Sequence, residues 1–109
     1  MNLQRSLAIL VSLVVLQTNA IADSYPTKPI TLIVPYGAGG GTDARARQVA
    51  LYLSQELGQP IIVDNKAGAG GNIGVSAVAR SEPNGDTFLL SSVGIVTNVF
   101  LYSKLTYDP

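Results

Sequence analysis

Histidine and cysteine are both missing from the 109 residues. Without cysteine there is no disulfide framework, no thiol nucleophile and no thiolate metal site; without histidine the commonest general base and metal ligand are gone as well. A Ser-His-Asp hydrolase is excluded within this chain. Charge is scarce too. Seven basic and seven acidic side chains balance to zero, and no Lys/Arg cluster supplies the electrostatic footprint that a polyanion needs. The composition predicts no catalytic residues, no metal, no cofactor and no nucleic-acid partner. The length allows one domain at most.

One long apolar run is present, and it lies at the N-terminus. A polar start with a single cation, Arg5, leads into Leu7 to Leu16 and then Gln17-Thr18-Asn19-Ala20-Ile21-Ala22. A membrane-spanning helix takes roughly 20 apolar residues, so this run is too short to cross. The order of charge, apolar run and small residues is that of a secretory signal, with an A-x-A site at Ala20-Ile21-Ala22. Residues 1–22 are expected to be removed after Ala22, leaving 23–109 as a secreted chain with no stable membrane insertion and a formal charge of minus one.

The remainder alternates strand and helix. Ile30-Thr31-Leu32-Ile33-Val34 is a β-branched run between prolines, the pattern of a strand buried on both faces of a parallel sheet. From Thr42 to Leu57, Ala46, Val49, Ala50, Leu53 and Leu57 form one apolar stripe at helical spacing. Thr42 is the expected N-cap, Asp43 complements the dipole in the first turn, and Gly58 with Pro60 supplies the stop. Ile61-Ile62-Val63 predicts a second strand. A second helix is expected from Asn72 or Ile73 to about Arg80, with Asn72 as its cap. Pro83-Asn84-Gly85-Asp86 is a turn, and Thr87 to Ser92 a third strand. The apolar tail from Ile95 to Leu101 leans toward helix. Such a βαβαβ order implies an α/β fold with a partial parallel sheet and right-handed crossovers; with the first strand central, the order is 2-1-3 and helices lie on both faces. A crevice then opens beside the C-terminal end of the first strand, where ligands of open α/β sheets bind.

Eight of the eleven glycines cluster in two strand-to-helix loops, Gly37, Gly39, Gly40, Gly41 and Gly68, Gly70, Gly71, Gly74. Both loops run from Ile-Val to Gly-Gly to a polar residue, a weak internal repeat. Glycine lets a backbone approach a ligand closely, and the start of the following helix offers unpaired N–H groups and a positive dipole end. Each loop alone is equally consistent with a tight turn; the pair favours a neutral, anion-accepting cleft. Nucleotide motifs do not fit. Thr42-Asp43 stands where a Walker loop needs Lys-Ser/Thr, and the third glycine of G-x-G-x-x-G is Thr42 in one loop and Ile73 in the other.

Tyr25-Pro26-Thr27-Lys28-Pro29-Ile30, Val34-Pro35-Tyr36-Gly37-Ala38-Gly39-Gly40-Gly41-Thr42-Asp43, Leu57-Gly58-Gln59-Pro60, Gly68-Ala69-Gly70-Gly71-Asn72-Ile73-Gly74 and Leu105-Thr106-Tyr107-Asp108-Pro109 occur in order. Together they resemble the extracytoplasmic solute receptors of tripartite tricarboxylate transporters, the Bug-type periplasmic binding proteins. The resemblance implies the N-terminal part of lobe one of a two-lobed receptor, one that closes around a small carboxylate or similar solute and passes it to a membrane permease. It further implies that the two glycine loops grip the carboxylate through backbone amides, hydroxyls and waters. That points to Tyr36, Gly37, Ala38, Gly39, Gly40, Gly41, Thr42 and Asp43, and to Ala69, Gly70, Gly71 and Asn72; Ser91 and Ser92 are further hydroxyl candidates. Gly37-Ala38 and Lys66-Ala67 stand where many members carry Ala-Pro and Arg-Pro, which loosens both loops.

Among charged residues, Asp43 is open to two readings, a contact in the cleft or service to the helix dipole alone. Arg45, Arg47 and Lys66 read as solvated surface groups. A receptor fragment, a piece of a secreted α/β enzyme and a truncated non-functional receptor frame all remain open from the residues themselves.

Overall fold

The computed structural model describes residues 24–109. The secretory-signal expectation for residues 1–22 lies outside the described residues. Strand β1, Ile30–Val34, has the limits expected of it and is buried along almost its whole length. It pairs in parallel with β2, Ile61–Asn65, on one side and with β3, Thr87–Leu89, on the other, giving the order β2-β1-β3. Leu32 stands opposite Val63 and Phe88 in the two registers. The Lys66 amide donates to the Val34 carbonyl and the Leu90 amide to that of Ile33, so the ladder continues past both strand ends.

Successive residues of β1 face opposite sides of the sheet. Leu32 and Val34 pack against Ala46 of helix α1, Gly41–Leu57. Alanine at 46 and 50, both buried, lets this helix approach the sheet closely. Helix α2, Asn72–Ala79, packs against β3 and β1, and α3, Gly94–Leu101, packs against α2. The helical leaning of the tail is thus borne out. A Cβ built on Gly74 would stand 2.6 Å from the Pro35 Cβ and 2.7 Å from its Cα, so glycine is what allows α2 to pass the end of β1.

Several element limits differ from expectation. Helix α1 begins one residue earlier, with Gly40 in extended conformation as N-cap, and Thr42 does not cap it. The Asp43 carboxylate reaches back to accept the Gly39 amide at 2.8 Å, and the Gly40 cap makes no side-chain hydrogen bond. The C-terminal stop is as expected, with Gly58 at φ +66 and its amide on Ser54. Asn72 is likewise not a cap. A short 3-10 turn, Ala69–Gly71, precedes α2, Gly71 is the cap, and the Asn72 side chain is buried as an acceptor. Strand β2 is two residues longer than expected and β3 three residues shorter, which leaves Ser91 and Ser92 in a loop.

Only part of the α1 stripe is covered. Val49, Leu53 and Leu57 remain 38–40% exposed and, with Tyr25, Phe88 and Leu90, line an apolar groove of about 410 Å³. The helix lies over β2 and β1, and among the described residues no element covers the same face of the sheet over β3. At the N-terminal end of the strands the turn before β3 is tied down. Gly85 takes φ +82, the Asp86 amide donates to Asn84 Oδ1, and Lys28 pairs with Asp86 at 2.7 Å.

Candidate functional site

All three strands point their C-terminal ends at one set of loops, and each loop leads into a helix N-terminus. This follows from parallel pairing: every connection leaves the sheet at the same end.

The first loop carries Gly37 to Gly41. Its helix makes its first intrahelical bond from Ala44 N–H to Gly40 O, at 3.0 Å, so the amides of Gly41, Thr42 and Asp43 precede the hydrogen-bonded turn. A Cβ added to Gly37, Gly39 or Gly41 would meet nothing within 4 Å. The loop is therefore open on the side where the glycines lack a side chain. It is held from below by Asp43, which is 3% exposed. Oδ2 accepts the Gly39 amide and Arg47 Nε (3.1 Å), and Oδ1 accepts Asn65 Nδ2 (3.0 Å). The Gly39 amide, then Arg47 and Asn65, favour the charged carboxylate and lower its pKa to about 2. Asn65 Nδ2 also donates to the Tyr36 carbonyl at 3.1 Å, so one side chain at the end of β2 braces both ends of this loop.

The second loop is built differently. Gly68, Gly70 and Gly71 all have positive φ, and so does Ala69. Added Cβ atoms would run into Ile73 at Gly68, into the Tyr102 hydroxyl at Gly70 and against the Tyr36 ring at Gly71. The Gly71 amide donates to Gly68 O at 3.0 Å and the Asn72 amide to Ala69 O, so both are spent inside the turn.

Tyr36 joins the loops. Its hydroxyl bonds Ser92 Oγ at 2.7 Å and Ser91 Oγ at 3.3 Å, while its ring lies against Gly71 and its oxygen beside Gly94. Partial burial works to raise the phenol pKa, but the hydrogen bonds from Ser91 and Ser92 outweigh it and leave the pKa below its ordinary value.

The fold thus brings Tyr36, Gly37, Ala38, Gly39, Gly40, Gly41 and Thr42 to the same strand ends as Ala69, Gly70, Gly71, Ser91 and Ser92. Asp43 sits beneath the first loop and Asn72 beneath the second, both with their carbonyl-type oxygens already accepting. Arg47 is more than a solvated cation, since it also reaches Asn65 Oδ1 at 3.3 Å. Lys66 stays half-exposed in a surface pair with Asp64. Three contributors escaped the sequence reading: Asn65, Asn98 and Tyr107. Asn98 had a visible signal, a lone amide in the apolar segment Gly94–Leu101. Among the described residues no group of three or more acidic side chains is placed to hold a metal ion, and no helix is long and apolar enough to cross a membrane.

This arrangement has known counterparts. Residues 45–109 match the family model described as the tripartite tricarboxylate transporter family receptor. Protein BugT of Bordetella pertussis is 46% identical over 84% of this chain and 29% of its own length. A second relative, the UPF0065 protein in the TAR-I ttuE-ttuC' intergenic region of Agrobacterium vitis, is 43% identical over 96% of this chain and 31% of its own. Among solved structures, an R. palustris protein with adipate superposes with a TM-score of 0.75 and 43% identity, over 78% of this chain and 29% of that one. MatC from Rhodopseudomonas palustris with bound malate gives a TM-score of 0.58 and 38% identity, over 60% of this chain and 22% of that one. The chain spans about a third of the length of the curated relatives it matches. By sequence match and by the 2-1-3 parallel sheet, the chain belongs to the tripartite tricarboxylate transporter receptor family.

Proposed function

We propose that the chain is the N-terminal part of lobe one of a periplasmic solute receptor, one that binds a small carboxylate without transforming it. The observation that carries this reading is the first loop, where glycines open on free space immediately before an unpaired helix start held rigid by Asp43. Such a site offers backbone N–H groups and a positive dipole end to a carboxylate, with no catalytic base beside it. The amides of Gly37, Ala38, Gly40, Gly41, Thr42 and Asp43 seat the anion, the Gly39 amide being held by Asp43. Ala69, Gly70, Gly71 and Asn72 close on it from the second loop, with Ala69 and Gly70 supplying the amides not spent in the turn. Tyr36, Ser91 and Ser92 line its edge with hydroxyls. The relatives solved with adipate and malate support the carboxylate class. Residues 1–22 direct secretion and are cut after Ala22; within a complete receptor the lobe delivers its solute to a membrane permease.

Capture between two lobes buries a solute on both sides, so a single lobe binds weakly. A micromolar receptor gains about 8 kcal/mol, and losing 3 of these leaves a Kd of about 0.2 mM. The test is an NMR titration of the 109-residue chain with adipate and malate. Amide shifts at Gly37–Asp43 and at Ala69–Gly70, saturating in the submillimolar to millimolar range, are expected. Unmoved amides at 10 mM of both acids would sink the proposal.

A further inference from the structure

The second loop holds one residue, Ala69, in a backbone conformation that its Cβ disfavours. Ala69, Gly70 and Gly71 take φ of +49, +63 and +96 in succession, and Ala69 does so with a Cβ. Glycine takes such values freely, but an L residue such as Ala69 rarely does, and it persists there only where the surroundings over-determine it. The over-determining group comes from 28 residues away. Asn98, on α3 and 4% exposed, donates from its single Nδ2 to the Gly70 carbonyl at 2.9 Å and to Asn72 Oδ1 at 2.8 Å. An amide nitrogen carries two hydrogens, so both are used. The Tyr107 hydroxyl donates to the same Asn72 oxygen at 2.9 Å, and that oxygen is thereby supplied from two distant parts of the chain.

We infer that Asn98 is the positioning residue of the second glycine loop, holding Ala69–Asn72 in the conformation that faces the cleft. The chemistry is selective. Aspartate fits the same space but puts an oxygen against two oxygens, serine has one donor for two acceptors, and alanine has none. Without Asn98 the Gly70 carbonyl loses its side-chain donor and Asn72 Oδ1 keeps only Tyr107, which removes contacts that offset the unfavourable φ of Ala69. Gly70 then relaxes, and the amides of Ala69 and Gly70 lose their aim. Only this last consequence rests on the carboxylate-receptor reading.

Amide hydrogen exchange followed by NMR on the 109-residue chain tests the inference directly. In Asn98→Ala and Asn98→Asp the Gly71 and Asn72 amides should exchange at least tenfold faster relative to those of Leu32 and Lys66 in the sheet ladder. Tyr107→Phe, which withdraws one donor from Asn72 and leaves Gly70 bonded, should give a rise of about threefold at the same amides, and it reads the network even where an Asn98 variant does not fold. Acceleration shared equally by loop and ladder, or none, overturns the inference. Adipate titration adds a second arm. In Asn98→Asp the shifts at Ala69–Gly70 should vanish while those at Gly37–Asp43 persist, and loss at both loops or at neither counts against it. If wild-type chain shows no adipate shifts at all, the receptor reading fails, and hydrogen exchange still decides the role of Asn98.

Discussion

The two glycine loops look alike on paper and are opposite in construction. Both follow Ile-Val at a strand end and both end in Gly-Gly and a polar residue. In the first, three of the four missing side chains would have projected into open space. In the second, every missing side chain would have met the protein itself: Ile73, Tyr102 and Pro35 closer than 3.0 Å, and Tyr36 in ordinary contact. Glycine therefore serves access in one loop and packing in the other. The supports differ correspondingly. A charged carboxylate, Asp43, braces the first loop within four residues of it, whereas the second is held by neutral amides and a phenol from α3 and the segment that follows it.

This contrast is most exposed to test at Gly74. A methyl there meets Pro35 backbone and side chain below 3.0 Å and the Lys66 carbonyl at 3.0 Å, none of which is a flexible chain end. Gly74→Ala should destabilise the chain by about 3 kcal/mol, read as a urea-midpoint shift, and an unshifted midpoint would abolish the packing account of the second loop. At Gly70 the obstacle is the Tyr102 hydroxyl, which can swing aside, so Gly70→Ala leaves chiefly the left-handed backbone to accommodate. A cost of about 1 kcal/mol is expected, and Tyr102→Phe in the same chain should not abolish it.

The brace of the first loop is sensitive to acid where that of the second is not. The Asp43 pKa of about 2 lies below its ordinary 3.8, so the unfolded chain binds the proton more readily. The stabilisation is complete above about pH 4 and drains away as pH falls toward 2. Circular dichroism between those limits should show a loss of stability that Asp43→Asn lacks; parallel acid profiles would mean that the carboxylate does not hold the loop. The smallest stability effects belong to Gly37→Ala and Gly41→Ala, each within about 0.5 kcal/mol of wild type. These same variants should weaken the adipate shifts at Gly37–Asp43. Stable variants with full binding would show that the open side of the loop is not where the acid sits.

Much of this fold is legible in the residues. The limits of β1 come from an unbroken β-branched run between prolines, and the end of α1 from Gly58 and Pro60. Alternation of strand and helix with short loops leads to a parallel sheet, handedness sets the face each helix takes, and the 2-1-3 order follows once the doubly buried β1 is placed at the centre. The start of α1 was not legible in the same way. Thr42 has the local chemistry of a cap, yet the extended Gly40 takes that place, and Asp43 reaches back to the Gly39 amide while Arg47 and Asn65 hold its carboxylate from one turn and one strand away. Asn72 has the local chemistry of a cap, yet Asn98 and Tyr107 draw its oxygen inward.

Local composition by itself determined the alternation of elements, the place of the loops and the shortage of catalytic groups, because these depend on periodicity and residue type within a few positions. Which glycines face open space and which face the protein was decided only by tertiary structure. A glycine's φ can be guessed from its neighbours, but the atom that fills the place of its missing Cβ comes from Pro35, Tyr36 or Tyr102, and nothing short of the folded chain brings those there.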